Sequence, residues 1–194
     1  MLSTRLLAPA ALLAVLSTPV AAADSFQDKL DRGEIFCYPR EVKGSDAPEM
    51  IVKAVVNAPP AKVWKLVDAC GNYRTTIPRI ASSKEISRKG KRVVCRVTID
   101  MPFPYSDKTS ITEGIHTVAD GRWTRRWRLI SGDYKVNSGS WVLTRFRGNR
   151  NRTMIVYRVH AVPDAWVPGW IRKAAQKKSL PNMIRRLRKL TGAE

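Results

Sequence analysis

Between Ser82 and Ala161 the chain carries six consecutive extended runs: Ser82–Arg88, Arg92–Asp100, Asp107–Val118, Arg122–Ile130, Ser140–Phe146 and Arg152–Ala161. Apolar and polar side chains alternate along them, the period of a half-buried strand. The breaks carry turn chemistry at Lys89-Gly90-Lys91, Met101-Pro102-Phe103-Pro104, Asp120-Gly121, Ser131-Gly132-Asp133 and Gly148-Asn149. Asp-Gly between two alternating runs is a strong hairpin signal. Consecutive strands with such short links pair antiparallel. One earlier run, Met50–Asn57, is rich in β-branched residues and can join this meander at an edge.

Helical patterning flanks the meander. Pro59-Pro60 stops the first strand and opens a helix on which Val63, Trp64 and Val67 recur at helical spacing, through Asp68, before Gly71-Asn72 ends it. Tyr73–Ile80 reads as a second short turn or helix, and Ser25–Arg32 as a short amphipathic helix. Gly33–Pro48 reads as a polar connector. From Trp166 to Leu190 one apolar stripe (Ile171, Ala174, Ala175, Leu180, Met183, Ile184, Leu187) predicts a long helix, with Pro181 kinking it or restarting its first turn. The expected class is α+β, a curved antiparallel sheet of about seven strands around a long C-terminal helix. A twisted sheet cannot touch a single helix along its whole length, so the space between them becomes a cavity.

The chain has 194 residues, of which 44% are hydrophobic and 26% charged, which excludes a disordered polycation and is too short for two full domains. Two histidines and three cysteines are too few for the usual zinc spacings, and no metal or cofactor is expected. Arg5, the apolar run Leu6–Leu16 and the small residues Ala21, Ala22 and Ala23 read as a secretory signal peptide over residues 1–23. An extension, 24–48, and a ligand-binding domain, 49–194, follow. The run is shorter than the ~20 residues of a spanning helix, so the expected setting is periplasmic or secreted. Three cysteines allow at most one internal bridge; spacing does not choose the pair, and the strand pattern around Cys95 favours a buried free thiol.

Lys and Arg number 35 against 16 Asp and Glu, a formal net charge of +19 to which the signal segment adds only Arg5. From Ile171 to Leu190 eight Lys or Arg residues stand without an acid. Such charge favours polyanions. Export argues against nucleic acid and leaves anionic lipid headgroups, or a solvated face that aids solubility.

Four pieces in order, Asn57-Ala58-Pro59-Pro60-Ala61-Lys62-Val63-Trp64, then Tyr73 with Ile77-Pro78-Arg79, then Asn137-Ser138-Gly139-Ser140-Trp141, then Lys178-Ser179-Leu180-Pro181, resemble the START/SRPBCC superfamily. More narrowly the chain resembles its polyketide-cyclase and lipid-transport branch, from about Met50 to Leu190. The resemblance implies a helix-grip fold and a hydrophobic ligand, commonly a lipid, sterol or polycyclic molecule. It does not imply an enzyme.

Alternation assigns the candidate ligand contacts. Trp123, Arg125, Trp127 and Leu129 share one face, and the tryptophan face is expected inward. A two-residue turn at Asp120-Gly121 sets Gly114 opposite Trp127, His116 opposite Arg125 and Glu113 opposite Arg128, leaving Ile111 and Ile115 outside; a three-residue loop reverses this. Trp141 with Leu143, and Ile155 with Tyr157 and Val159, share faces on the neighbouring strands, while Phe103, Trp170, Ala174 and Met183 are expected at the entrance and on the helix. An inward Arg125 needs a ligand carboxylate or phosphate, or an internal acid, unless it snorkels to the mouth. His116 and His160 have no sequence neighbour that suggests a dyad and are read as structural. No nucleophile elbow or glycine-rich phosphate loop occurs. Trp166 beside Arg172, Lys173, Lys177 and Lys178 suits transient contact with an anionic membrane. The expected function is binding, with transfer or presentation, of a hydrophobic or amphipathic ligand. An exported cyclase, aromatase or hydrolase, and a protein-interaction module with a filled core, remain open alternatives.

Overall fold

A computed structural model describes residues 24–193; the expected signal segment lies outside them. Eight strands form one antiparallel sheet: β1 (Phe36–Arg40), β2 (Glu49–Val56), β3 (Ile80–Lys89), β4 (Arg92–Ile99), β5 (Lys108–Ala119), β6 (Arg122–Gly132), β7 (Tyr134–Phe146) and β8 (Asn149–Pro163). Their order is β1-β2-β8-β7-β6-β5-β4-β3. The meander from β3 to β8 matches the sequence expectation. The first expected strand, however, is not the edge: β2 pairs with β8 on one side and β1 on the other. Residues 36–40, expected within a connector, form that edge. Pro39 hides the strand in the sequence because it lacks an N–H, a defect tolerated only where no further strand must pair.

The Asp120-Gly121 hairpin is a two-residue turn with both φ values positive, +51° and +69°, the conformation that matches the twist of its flanking strands. It sets Glu113 opposite Arg128, Gly114 opposite Trp127 and His116 opposite Arg125. Ile115 therefore faces outward and is 41% exposed. A bulge between Ile111 and Thr112 bends the hairpin.

The helices are α1 (Phe26–Asp31), α2 (Pro60–Asp68), α3 (Tyr73–Thr76), α4 (Gly169–Ala174) and α5 (Leu180–Thr191). The expected helix from Trp166 thus starts three residues later, because Pro168 disfavours helix in the residue before it, and is interrupted further on. A widened π turn, Ala175–Ser179, joins α4 to α5, and Pro181 sits in the first turn of α5 where its missing N–H costs nothing.

One half of the grip is solid. Val52, Ala54 and Val56 of β2, Leu143 and Ile155, Val63 and Val67 of α2, and Met183, Ile184 and Leu187 of α5 form one cluster. Each large aliphatic side chain buried there contributes about 1.5–3 kcal/mol. On the outer sheet face α1 sits on β2, with Leu30 packed on Val55 and Phe146. Cys70 and Cys95 form a disulfide, Cα to Cα 6.3 Å, correcting the expectation of a free thiol at Cys95. The turn after α2 brings Cys70 against the inner face of β4, a tertiary contact that spacing does not announce. No described helix is long and apolar enough to cross a membrane.

Candidate functional site

The other half of the grip is hollow. A cavity of about 750 Å³ lies between the sheet and the α4–α5 segment, within the ~300–1,000 Å³ range of ligand pockets. Its walls include Arg125, Trp127, Trp141 and Tyr157 from the sheet and Trp170, Ala174 and Met183 from the helices. Four other expected contacts lie elsewhere. Leu143 and Ile155 share the inner face with Trp141 and Tyr157 but stand one cross-strand pair further along, where α2 and α5 fill the space. Trp123 pairs with Leu143 and packs on the same core. Phe103 points into solvent, 96% exposed, while its neighbours Met101 and Pro102 line the mouth.

Sequence reading missed Tyr73, Ser110, Thr112 and Asn137, which also line the cavity. Ser110 and Thr112 follow from the hairpin register, since they continue the face of Gly114. Asn137 accepts a hydrogen bond from Trp127 Nε1 at 3.0 Å. Trp127 also stacks on Tyr157, centroids 5.9 Å apart, and Trp141 lies 4.4 Å from Tyr157. These rings form a rigid aromatic wall. Burial raises the Tyr157 phenol, so it stays neutral.

Arg125 is the one buried cation in this wall, 4% exposed. Its guanidinium carbon lies 5.1 Å from the Tyr73 ring and 5.3 Å from the Trp127 ring, both cation–π distances. Among the described residues Nη2 meets only the disulfide sulfur of Cys95, at 3.8 Å, and Nε has no hydrogen-bond partner. No acid pairs with it among the described residues. Burial lowers its pKa to about 10, which still leaves it charged near neutrality. It neither snorkels nor finds an internal acid.

Behind Arg125 stands a pair that sequence reading did not anticipate. His116 Nδ1 is 2.5 Å from Asp68 Oδ1, and Asp68 also accepts from Arg88 at 3.2 Å. Asp68 ends α2 whereas His116 sits mid-strand, so only the fold joins them. Burial lowers the His116 pKa and the Asp68 carboxylate only partly offsets this, so the ring is neutral near pH 7. Burial raises Asp68, but hydrogen bonds from His116 and Arg88 outweigh it and hold the carboxyl below its usual value. His116 Nε2 is buried without a hydrogen-bond partner among the described residues. A side chain at Gly114 would reach within 3.1 Å of that nitrogen and 3.4 Å of Arg125 Nε. Two orphaned nitrogens thus flank one bare Cα. His160, by contrast, is tied to Ser45 Oγ at 2.9 Å and the Ala47 carbonyl at 3.1 Å, anchoring the segment before β2.

At the rim, Trp166 is 77% exposed, with Trp170, Lys173, Lys177 and Lys178 exposed near it in sequence. The Arg172 side chain lies outside those described. Among the described residues no three His, Cys, Asp or Glu side chains converge as a metal site.

Solved structures share this architecture. A STAR-related lipid transfer protein fragment from Xanthomonas axonopodis superposes with a TM-score of 0.69 at 19% identity, covering 87% of this chain and 95% of that one. Human StAR-related lipid transfer protein 5 gives 0.71 at 11% identity, with 82% of each chain covered. The Zhui aromatase/cyclase from Streptomyces gives 0.55 at 15% identity, covering 74% and 90%. No curated protein matches the chain in sequence. The model of polyketide cyclase / dehydrase and lipid transport proteins matches residues 56–188. With that match over most of its length, on a sheet curled about a terminal helix, the chain belongs to the polyketide cyclase / dehydrase and lipid transport family of the START/SRPBCC superfamily.

Proposed function

We propose that the protein, exported to a periplasm or secreted, holds one amphipathic ligand in the 750 Å³ cavity and delivers it to or collects it from an anionic membrane. The observation that carries this reading is Arg125, a buried guanidinium without an acid partner among the described residues, facing a mainly apolar hollow. Burying such a charge unpaired is costly. A carboxylate or phosphate headgroup supplies the missing partner, and a hydrocarbon or ring system fills the rest. The exposed Trp166 and Trp170 and the lysines at 173, 177 and 178 support delivery at a bilayer, because indoles settle at headgroup depth while ammonium groups meet phosphate. The test is transfer of a fluorescent anionic lipid between vesicles. Transfer is expected to fall about tenfold in Trp166→Ala/Trp170→Ala; equal rates, or no binding to anionic vesicles at low salt, remove the delivery role.

One observation favours catalysis as a second reading. A neutral His116 hydrogen-bonded through Nδ1 to Asp68 leaves Nε2 as an unpartnered base close to Arg125; His116 itself does not line the cavity, whereas Arg125 does and can polarise a carbonyl oxygen. That pair fits proton abstraction next to a carbonyl in a cyclase or dehydratase. Turnover of a poly-β-carbonyl substrate that His116→Gln abolishes selects this reading; binding without turnover selects the carrier.

A further inference from the structure

The C-terminal half of α5 borders a second cavity, about 500 Å³, on the side of α1. Its floor is Leu30 and Val55, and around it stand Arg32, Arg152, Arg185 and Arg188 against one carboxylate, Asp31. That carboxylate is already bridged by Arg147 and Arg152. Arg32 pairs with Asp24 at 2.6 Å. Arg188 donates through Nε and Nη2 to the Val55 carbonyl at 3.0 and 2.8 Å, and its Nη1 has no hydrogen-bond partner among the described residues. Arg185 meets only Asn182 Oδ1, at 2.7 Å. Two guanidiniums therefore share this cavity without an acid of their own among the described residues. Burial, then the charge of Arg185, lowers the pKa of Arg188, so the two repel. Gly33, at φ +88°, keeps the approach open: a side chain there would come within 3.7 Å of Arg188 Nη1.

We propose that this arginine-walled cavity is a second binding site, separate from the hydrophobic cavity, and that it takes an oxyanion of the phosphate class on Arg185 and Arg188 Nη1. Planar guanidinium forks match phosphate oxygens two at a time. The volume admits a phosphate carrying a small organic group, whereas an apolar floor of two residues is too small to hold an acyl chain. A bound anion offsets the repulsion between Arg185 and Arg188, while Arg188 Nε and Nη2 keep α5 fastened to the Val55 carbonyl of β2. Occupancy therefore stabilises the fold by mass action.

The full chain is titrated with inorganic phosphate, with glycerol 3-phosphate and with phosphatidate vesicles, by calorimetry and thermal unfolding, against chloride at equal ionic strength. Saturable one-to-one binding that raises Tm, absent with chloride, is expected. Arg185→Gln, an exposed position, weakens it about tenfold without lowering the phosphate-free Tm, since it also removes the repulsion of Arg188. Arg188→Lys, which keeps charge but loses the fork, also weakens it. Lys177→Gln/Lys178→Gln, at the rim of the other cavity, leaves it intact. Tighter binding of glycerol 3-phosphate assigns a soluble source; binding of vesicles alone, sensitive to Arg185→Gln, assigns a lipid headgroup. No effect beyond chloride, unchanged affinity in Arg185→Gln, or loss only in the double lysine variant overturns the proposal.

Discussion

Arg125 separates stability from function. With no acid beside it among the described residues, the guanidinium weakens the empty protein, and under the proposed function an acidic headgroup offsets that cost in the loaded one. Arg125→Met is expected to raise the stability of ligand-free protein by about 1–3 kcal/mol in urea unfolding while abolishing retention of an acidic ligand. His116 gives a pH signature. Facing it are Asp68 from α2, Arg88 and Glu85 from β3, and Arg125 from β6. Because its pKa is lowered in the fold, the unfolded chain binds the proton more tightly, and stability is lost as pH falls below the ordinary value of about 6.5 toward the folded one. The lowered carboxyl of Asp68 acts in the same direction, but only in more acid solution, below its ordinary 3.8. NMR titration is expected to place the His116 midpoint below 6.5, and His116→Gln to flatten the decline of Tm between pH 7 and pH 5. A midpoint above 6.5 shows instead that the Asp68 charge dominates.

At the scale of elements, Gly139 on β7 shows how closely the strands are fitted. It stands opposite Trp127, and a Cβ there would collide with the Arg158 carbonyl and the Trp127 indole. Gly139→Ala is expected to cost about 1–3 kcal/mol or more and to shift tryptophan fluorescence as the aromatic wall moves. The disulfide fastens the end of α2 to β4 across 25 residues; Cys70→Ala/Cys95→Ala is expected to lose about 3 kcal/mol, read by thermal unfolding with and without reductant. Much of this level was legible in sequence. The six-strand meander and its central register came from alternation and one Asp-Gly turn, because strand patterning and turn chemistry are local. The edge strand at 36–40 was not, since Pro39 and flanking charges erase its pattern while its support, pairing with β2 and packing of Phe36 and Cys37, is tertiary. The helix interruption was half legible, Pro181 marking the restart but nothing marking the π turn.

For the whole molecule, the grip is packed at one end and open at the other, and the boundary falls within the inner sheet face. Trp141 and Tyr157 face the hollow; Leu143 and Ile155, the next pair along, face α2 and α5. Periodicity assigns a residue to a face but not to a position along it, so four of the expected contacts fell outside the cavity while the inward Arg125 fell within it. The His116–Asp68 pair, 48 residues apart in sequence, was invisible for the same reason. The most direct test of a persistent hollow is native mass spectrometry of protein purified from its own host, followed by organic extraction. The proposed function predicts a single bound amphipathic molecule with an acidic headgroup, lost in Arg125→Met. Protein of bare polypeptide mass, binding no acidic amphiphile when one is added, would contradict it.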